Sequence, residues 1–394
     1  MNLSPEQQLL IQCLQNFLHP NKTIAPNSTA RWMDHIDGSV LLQLAERHRV
    51  LPIVYEVLKT SEYIPNEALQ MLKHEAIRKQ MQMLTLSRTL LLMLQQWQQA
   101  GIECLILKGI PLANQLYGSV ALRPARDLDI LIDPKQYEVV ELWLLQNGYQ
   151  EKSGFSQMSD RFKRFMIRRT SGHYHSTFVH EQSGEMVEIH WRLQRQYDPT
   201  RTFAKLLERS RIVEIASYPV RVLAAEDEFT YLLEHGARHI YIRLRWLLDI
   251  VLFAQQRPDL VTELVNAPHS SPMLRVLLEQ ADMLSVQILR TNIITDSLVH
   301  HPNKHSSSYN RSLQLANLAT SFIFAEHEHT DPSFASPMYW AFKRYHWVLH
   351  PTWFARIRLL TRLINLHNGW RLQRKCKQSL KSLGALFFPR KKNE

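Results

Sequence analysis

The sequence predicts an α+β fold: a small mixed-sheet core flanked by an N-terminal and a C-terminal helical region. Three observations predict it. Apolar residues recur at three and four spacing through the first hundred or so residues, a helical period. Between residues 101 and 150 short Ile/Leu-rich runs alternate with amphipathic stretches, and a hairpin pattern follows. From about residue 226 the helical period returns. The expected divisions are 1–100, 101–225 and 226–394, the last ending in a basic tail.

In the N-terminal region, Ser4 followed by Pro5 and Glu6 reads as a helix start, with Ser4 as the cap. "SVLLQLAERHRVLPIVYEVLKT" continues the pattern. The long "NEALQMLKHEAIRKQMQMLTLSRTLLLMLQQWQQAG" stops at Gly101, and its methionine stripe is read as core packing. "IECLILKG" is then a buried strand, "IPLANQLY" a short helix, "DLDILID" a second strand, and "PKQYEVVELWLLQNGYQ" a helix ended at Asn147-Gly148. "HYHSTFVHEQSGEMVEIHWRL" reads as a hairpin turning at Ser183-Gly184. "EDEFTYLLEHGARHIYIRLRWLLDIVLFAQQ" opens the C-terminal helices, with "HPNKHSSSYNRS" as a linker among them.

The bulk properties narrow the setting. A chain of 394 residues, 45% hydrophobic, can bury a sizeable core in two or three domains or subdomains. Cys13, Cys104 and Cys376 lie far apart, which excludes a disulfide framework and a zinc finger and suits a reducing, cytoplasmic setting. The opening "MNLSPEQQLLIQCLQNFL" is amphipathic, so no secretory leader is expected, and no run of about eighteen apolar residues suggests a transmembrane segment. The net charge of +11 favours anionic partners: nucleotides, nucleic acid or an anionic membrane surface. Much of it lies in "RLQRKCKQSLKSLGALFFPRKKNE". That tail reads as a solvated end, with peripheral membrane contact as the alternative.

The chemistry concentrates in "DLDILID". Side chains alternate along a strand, so Asp127 and Asp129 share one face while Leu128, Ile130 and Ile132 take the core face. Two carboxylates about 7 Å apart along a strand repel unless a cation lies between them. Mg²⁺, which takes one or two carboxylates together with phosphate oxygens and water, answers that need, so a magnesium–nucleotide site is expected. In the hairpin's second strand Glu188 and His190 face away from Val187, Ile189 and Trp191. Pairing that strand beside the Asp strand would bring Glu188 to the same cluster. Two metals on three acids can activate a hydroxyl and neutralise a leaving pyrophosphate.

"LILKGIPLANQLYGSVALRPARDLDILID" followed by "MVEIHW" resembles the nucleotidyltransferase superfamily of the DNA polymerase β type. It is most similar to the poorly characterised bacterial branch known only as nucleotidyltransferase family proteins. The branch's pattern is Leu-Lys-Gly before a helix, then Arg-Pro-x-x-Asp-x-Asp, then an acid-x-His-Trp strand. Here these are Leu107-Lys108-Gly109, Arg123 to Asp129, and Glu188 to Trp191. The resemblance extends over residues 40 to 255, through "LAERHRVLPIVYEVL" and the segment bearing His235, His239, Trp246 and Asp249. It implies a nucleotidyltransferase core that moves an NMP from an NTP such as ATP to an unknown acceptor, a small molecule, protein or nucleic acid. It also implies two Mg²⁺, with Mn²⁺ as the alternative, on Asp127, Asp129 and Glu188. Gly109 and the amides after it would hold the triphosphate. Two departures stand out: Gly109-Ile110 replaces the usual Gly-Gly or Gly-Ser, with Gly118-Ser119 as an alternative register, and Glu188 replaces a more frequent Asp. Both favour the alternative of a non-catalytic nucleotide- or RNA-binding scaffold.

The remaining expectations stay two-sided. Lys108 touches the triphosphate or caps the sheet. Arg123 and Arg126 meet phosphates or pair with the aspartates, Arg123 being favoured for nucleotide binding. His190 is a group behind the ligands or a packed histidine. His173 and His175 share a face that permits a transition metal, but no further ligand completes the set. Arg161, Arg164 and Arg168 form a solvated face or a wall for an anionic acceptor. His235 and Asp249 are expected to fix helix packing.

Overall fold

The computed structural model describes residues 3–349, apart from 21–35, 62–63, 155–157, 160–162, 165–166, 168–173, 195–197, 267–271, 295–306 and 326–336. The expectations on Arg161, Arg168, His173 and the basic tail lie outside the described residues. The chain divides into two compact units, residues 1–328 and 329–394, and the second contributes helix Pro337–Leu349.

Helices α1 (Pro5–Leu18), α2 (Gly38–Arg47), α3 (Leu51–Leu58) and α4 (Asn66–Gln99) come first. The first begins in a capping box: Gln7 N donates to Ser4 Oγ at 3.2 Å and Ser4 N donates to Gln7 Oε1 at 3.1 Å. Asp37 caps the second by accepting from the amides of Ser39 and Val40. The fourth ends where Gly101 takes a left-handed conformation (φ 68°) and Ile102 N returns to Trp97 O.

Then follow β1 (Cys104–Ile106), α5 (Ile110–Tyr117), β2 (Asp127–Ile132), α6 (Tyr137–Gln146), β3 (Tyr149–Glu151), β4 (His175–His180) and β5 (Met186–His190). After them come α7 (Phe203–Glu208), β6 (Arg211–Ile215) and β7 (Tyr218–Val222). The strands form one mixed sheet in the order β3-β4-β5-β2-β1-β7-β6. Neither β3 nor the β6–β7 hairpin is expected from the sequence. That hairpin turns at Ala216 and Ser217, both at positive φ (48° and 62°), where glycine or asparagine would normally signal the turn.

The two faces of the sheet differ. On one, Ile106, Leu128, Ile130, Ile132, Val187 and Ile189 pack against Leu86, Leu90 and Trp97 of the long helix and Tyr137, Val140 and Leu144 of α6. The long helix also touches three segments: Met83 Sδ accepts from Ala125 N, Thr89 Oγ1 donates to Glu185, and Gln98 accepts from the Tyr218 hydroxyl. On the other face Leu105, Leu107 and Leu131 join Phe203, Leu206 and Tyr231. That second face also carries Asp127 and Asp129.

The first unit closes with α8 (Ala225–Arg238), α9 (Leu244–Gln256), α10 (Pro258–Asn266), α11 (Pro272–Leu284) and α12 (Ser307–Ile323). Every residue of the ninth helix from Leu244 to Ala254 is buried, which makes it a central strut rather than a surface helix. No helix among the described residues is long and apolar enough to cross a membrane.

Candidate active site

Strands β2 and β5 run parallel with Asp129 opposite Glu188 and Leu131 opposite His190. Antiparallel β4 adds His175 opposite His190. Alternation therefore gathers Asp127, Asp129, Glu188, His190 and His175 on one face of three adjacent strands. One ligand atom each from Asp129, Glu188 and His190 lie within 4.8 Å of one another. Asp127 is next along the strand on the same face and stands outside that trio.

Asp129 is almost fully buried, and both its oxygens have cationic neighbours. Lys108 Nζ lies 2.9 Å from Oδ2, and His190 Nε2 lies 3.2 Å from Oδ1. His190 Nε2 is also 3.5 Å from Glu188 Oε2, so one imidazole bridges the two acids. Its ring stacks on that of His175 at 5.0 Å between centroids.

The charges follow from these contacts. Burial alone would raise the Asp129 carboxyl, but the Lys108 ammonium and the His190 hydrogen bond hold it far below the usual carboxylate range. Burial opposes the Lys108 charge and Asp129 overrides it, so the ammonium is held more firmly than usual. Burial likewise opposes the His190 charge, yet its bonds to Asp129 and Glu188 push it upward, while Glu188 is lowered against its own desolvation chiefly by His190. Asp127 moves the other way, raised by burial and by the charge of Asp129. His175 drops to about 4 through burial and the neighbouring His190. Three carboxylates thus face the Lys108 ammonium and the His190 imidazole, a donor set that suits a divalent cation, which would displace the proton His190 shares with the acids. Oxygen ligands with one imidazole fit Mn²⁺ at least as well as Mg²⁺.

Gly109 stands at the turn between β1 and α5 with φ 71° and ψ −120°, a conformation that side chains other than hydrogen resist. Arg123, expected at a phosphate, is instead turned into the interior. Its Nε and Nη2 donate to Asp249 Oδ1 and Oδ2, both at 2.7 Å, and Nη1 donates to Gly109 O at 3.3 Å. The Tyr117 hydroxyl adds a third donor to Asp249 at 2.6 Å. The reason is geometric: the two oxygens of the buried Asp249 match the Nε–Nη2 edge of the guanidinium, a bidentate pair. Arg126 is exposed beside Asp127, and Arg164 is exposed at 3.6 Å from Glu138.

A family model described as "Uncharacterised nucleotidyltransferase" matches residues 34–288, more than half of the chain. The chain belongs to this uncharacterised nucleotidyltransferase family. The matched span takes in the sheet, the cluster on its face, the segment after α2 and the helix carrying Asp249. No curated protein matches the chain. A crystal structure of an antigenic nucleotidyltransferase-like protein from Paracoccidioides brasiliensis is 16% identical, covering 55% of this chain and 97% of that one, with a TM-score of 0.32.

Two residues near the cluster carry no motif of their own. Arg49, from the helical region before the sheet, acts on Asp127 through its charge, and Tyr231 of α8 is near enough to Lys108 and Asp129 to interact with both. Arg49 lies in the "LAERHRVLPIVYEVL" segment that carries the family resemblance, but nothing local marks the approach of either residue to the cluster, because both come from elements far away in sequence.

Proposed function

We propose that the protein transfers a nucleoside monophosphate from an NTP to an acceptor hydroxyl or phosphate, releasing pyrophosphate. The observation that carries this reading is the pairing of Asp129 with Glu188 on adjacent parallel strands, with ligand atoms of both acids and His190 converging within 4.8 Å. Asp127, Asp129 and Glu188, with His190 beside them, are the residues that would hold Mg²⁺ or Mn²⁺, two ions by analogy with the superfamily. A divalent cation bound there would neutralise phosphate charge and make an acceptor hydroxyl easier to deprotonate.

The protein's own groups have separable tasks. Glu188 is ionised at neutral pH and partly exposed, so its free oxygen can accept the acceptor's proton as the new P–O bond forms and the bond to pyrophosphate breaks. His190 holds Glu188 and Asp129 at a fixed separation. Lys108 balances Asp129 when substrate is absent, and Gly109 brings backbone amides close to phosphate oxygens. Arg123 acts through Gly109, whose carbonyl it fixes, as a positioning residue. The acceptor is a small molecule, a protein or a nucleic acid.

Titration calorimetry with the magnesium complexes of ATP, GTP, CTP and UTP tests the site. Metal-dependent binding that Asp129→Ala abolishes is expected, and binding unchanged in that variant would sink the assignment. One observation favours a second reading, a nucleotide- or RNA-binding scaffold without catalysis: both oxygens of Asp129 already have cationic partners. Incubation with labelled NTPs and cell extract separates the two. A labelled acceptor supports transfer, and binding without any labelled product supports the scaffold.

A further inference from the structure

A cluster of arginines lies beside Asp127 and has no part in the cation site. Arg49 follows α2, Arg243 and Arg245 begin α9, and Arg126 immediately precedes Asp127. The segments bearing the first three are docked on one another. Arg245 N donates to His48 O at 3.4 Å, and Leu244 N donates to His48 Nδ1 at 3.3 Å. Arg245 also donates from its guanidinium to Pro124 O, on the loop that leads into β2.

The backbone in both segments is held in an uncommon conformation. Arg49 N returns to Glu46 O and Val50 N to Ala45 O, a helix-ending turn whose left-handed position normally takes glycine. Here that position is Arg49, at φ 56°. The turn that leads to Arg243 repeats the feature: Tyr241 N returns to Gly236 O, and Ile240 and Tyr241 both have positive φ (56° and 52°). Side chains other than glycine persist at such positions when the surroundings demand them, and they concentrate at functional sites.

Two of the cations, Arg49 and Arg245, are also poorly compensated, while Arg243 lies over the Trp246 ring at 5.6 Å. Arg49 Nε and Arg245 Nε are buried, and neither has a hydrogen-bond acceptor among the described residues. Burial and mutual repulsion lower Arg49 to about 8, with Arg245 and Arg243 the main neighbours. Burial and Arg123 lower Arg245 to about 10. A guanidinium does not give up its proton in a protein, so both stay charged although they are desolvated first by burial and then crowded by neighbouring cations, a cost that a bound anion would relieve. Asp127 opposes their charge, and Asp249, which also faces Arg245, is already committed to Arg123 and Tyr117.

The cluster lies on a particular side of the site. Arg245 stands four residues before Asp249, whose partner Arg123 fixes the Gly109 carbonyl, so it belongs with the turn between β1 and α5. Glu188, His190 and His175 lie on the opposite side of Asp127 in the sheet order. We propose that Arg49, Arg243, Arg245 and Arg126 form a polyphosphate-binding wall, which takes the β- and γ-phosphates of the nucleotide on the Gly109 side of Asp127. The acceptor then approaches from the Glu188 side. This rests on the nucleotidyl-transfer reading for its ligand, and it assigns to the N-terminal helical region a direct part in substrate binding.

The test uses the full chain with inorganic tripolyphosphate as probe, in calorimetry without metal, and then NTPs with Mn²⁺. Wild type binds tripolyphosphate, more weakly as salt is raised. Arg49→Met, which keeps the apolar stem, lowers tripolyphosphate and NTP affinity at least tenfold. Arg126→Ala, at an exposed position that folding does not need, lowers both in the same direction and guards against misfolding of the first variant. Undiminished binding of both ligands by both variants overturns the wall and leaves the transfer reading standing. Nucleotide binding by wild type without tripolyphosphate binding also overturns it. Tripolyphosphate binding that Arg49→Met weakens, with no NTP bound by wild type, supports the wall and removes the transfer reading.

Discussion

Asp249→Leu isolates a buried, bidentate ion pair of the interior. Asp249 and Arg123 each have a side chain about 1% exposed, and the carboxylate receives three hydrogen bonds: two from Arg123 at 2.7 Å and one from Tyr117 at 2.6 Å. Leucine fills similar space but strands a guanidinium and a phenol without an acceptor. Removing one member of a buried charge pair costs roughly 3–5 kcal/mol, mostly because the other charge remains buried. At about 1.5 °C per kcal/mol for a unit of this size, the Tm should fall by roughly 4–7 °C. Arg123→Met combined with Asp249→Leu removes both charges and should recover most of the loss, leaving about 1 kcal/mol for the Tyr117 hydroxyl. Thermal unfolding followed by circular dichroism measures wild type, Asp249→Leu, Arg123→Met and the double variant. A single variant within 1 kcal/mol of wild type, or a double variant whose loss is the sum of two large single losses, would refute the reasoning.

Gly109→Ala should destabilise by about 1–3 kcal/mol through backbone strain alone, since the added Cβ would meet nothing nearer than Asp127 O at 3.9 Å. Urea titration reads the loss, and a stability equal to wild type would contradict the assigned turn. Lys108→Met removes the ammonium 2.9 Å from Asp129 and leaves the acid cluster less compensated. The rise in Tm produced by Mn²⁺ should therefore be larger in this variant than in wild type, and a smaller rise would mean that Lys108 does not compete with the cation. His48 is lowered to about 3 by burial and by Arg47 and Arg243, and its Nδ1 accepts from Leu244 N. A depressed folded-state value means that its stabilising contribution is complete above the unfolded value near 6.5 and is lost as pH falls towards 3. The slope approaches about 1.4 kcal/mol per pH unit from this one group. Denaturant titrations between pH 4 and 7 should show a shallower decline for His48→Gln, and parallel curves would remove His48 as the source.

What could be read from the sequence was what depends on short-range periodicity. Alternation put Asp127 and Asp129 on one face and Glu188 and His190 on another strand's matching face, and Ser183-Gly184 marked the turn between β4 and β5. The bounds of the helix Ile110–Tyr117 follow from Gly109, Pro111 and Gly118. The partner of Arg123 was not legible, because Asp249 lies 126 residues further on and the nearest carboxylates in sequence were the aspartates themselves. The β6–β7 hairpin hid for another reason. Its turn uses Ala216 and Ser217 in a conformation they seldom adopt, and Pro219 interrupts the second strand. The arginine cluster is a product of two turns meeting in space, and neither turn announces itself in composition.

The helix Asn66–Gln99 serves as a measuring rod for the site on the far side of the sheet. Met83, Thr89 and Gln98 each meet a different segment: the approach to β2, the β4–β5 turn and the first residue of β7. Because each residue advances a helix by about 1.5 Å and turns it by about 100°, their spacing matches the positions of these three segments around a sheet whose Asp129–Glu188 register is set by its own ladder. One residue inserted between Met83 and Thr89 would swing one anchor away from its loop while leaving every acid intact. Lengths conserved along this helix would thus record a constraint on alignment that the site residues themselves do not display.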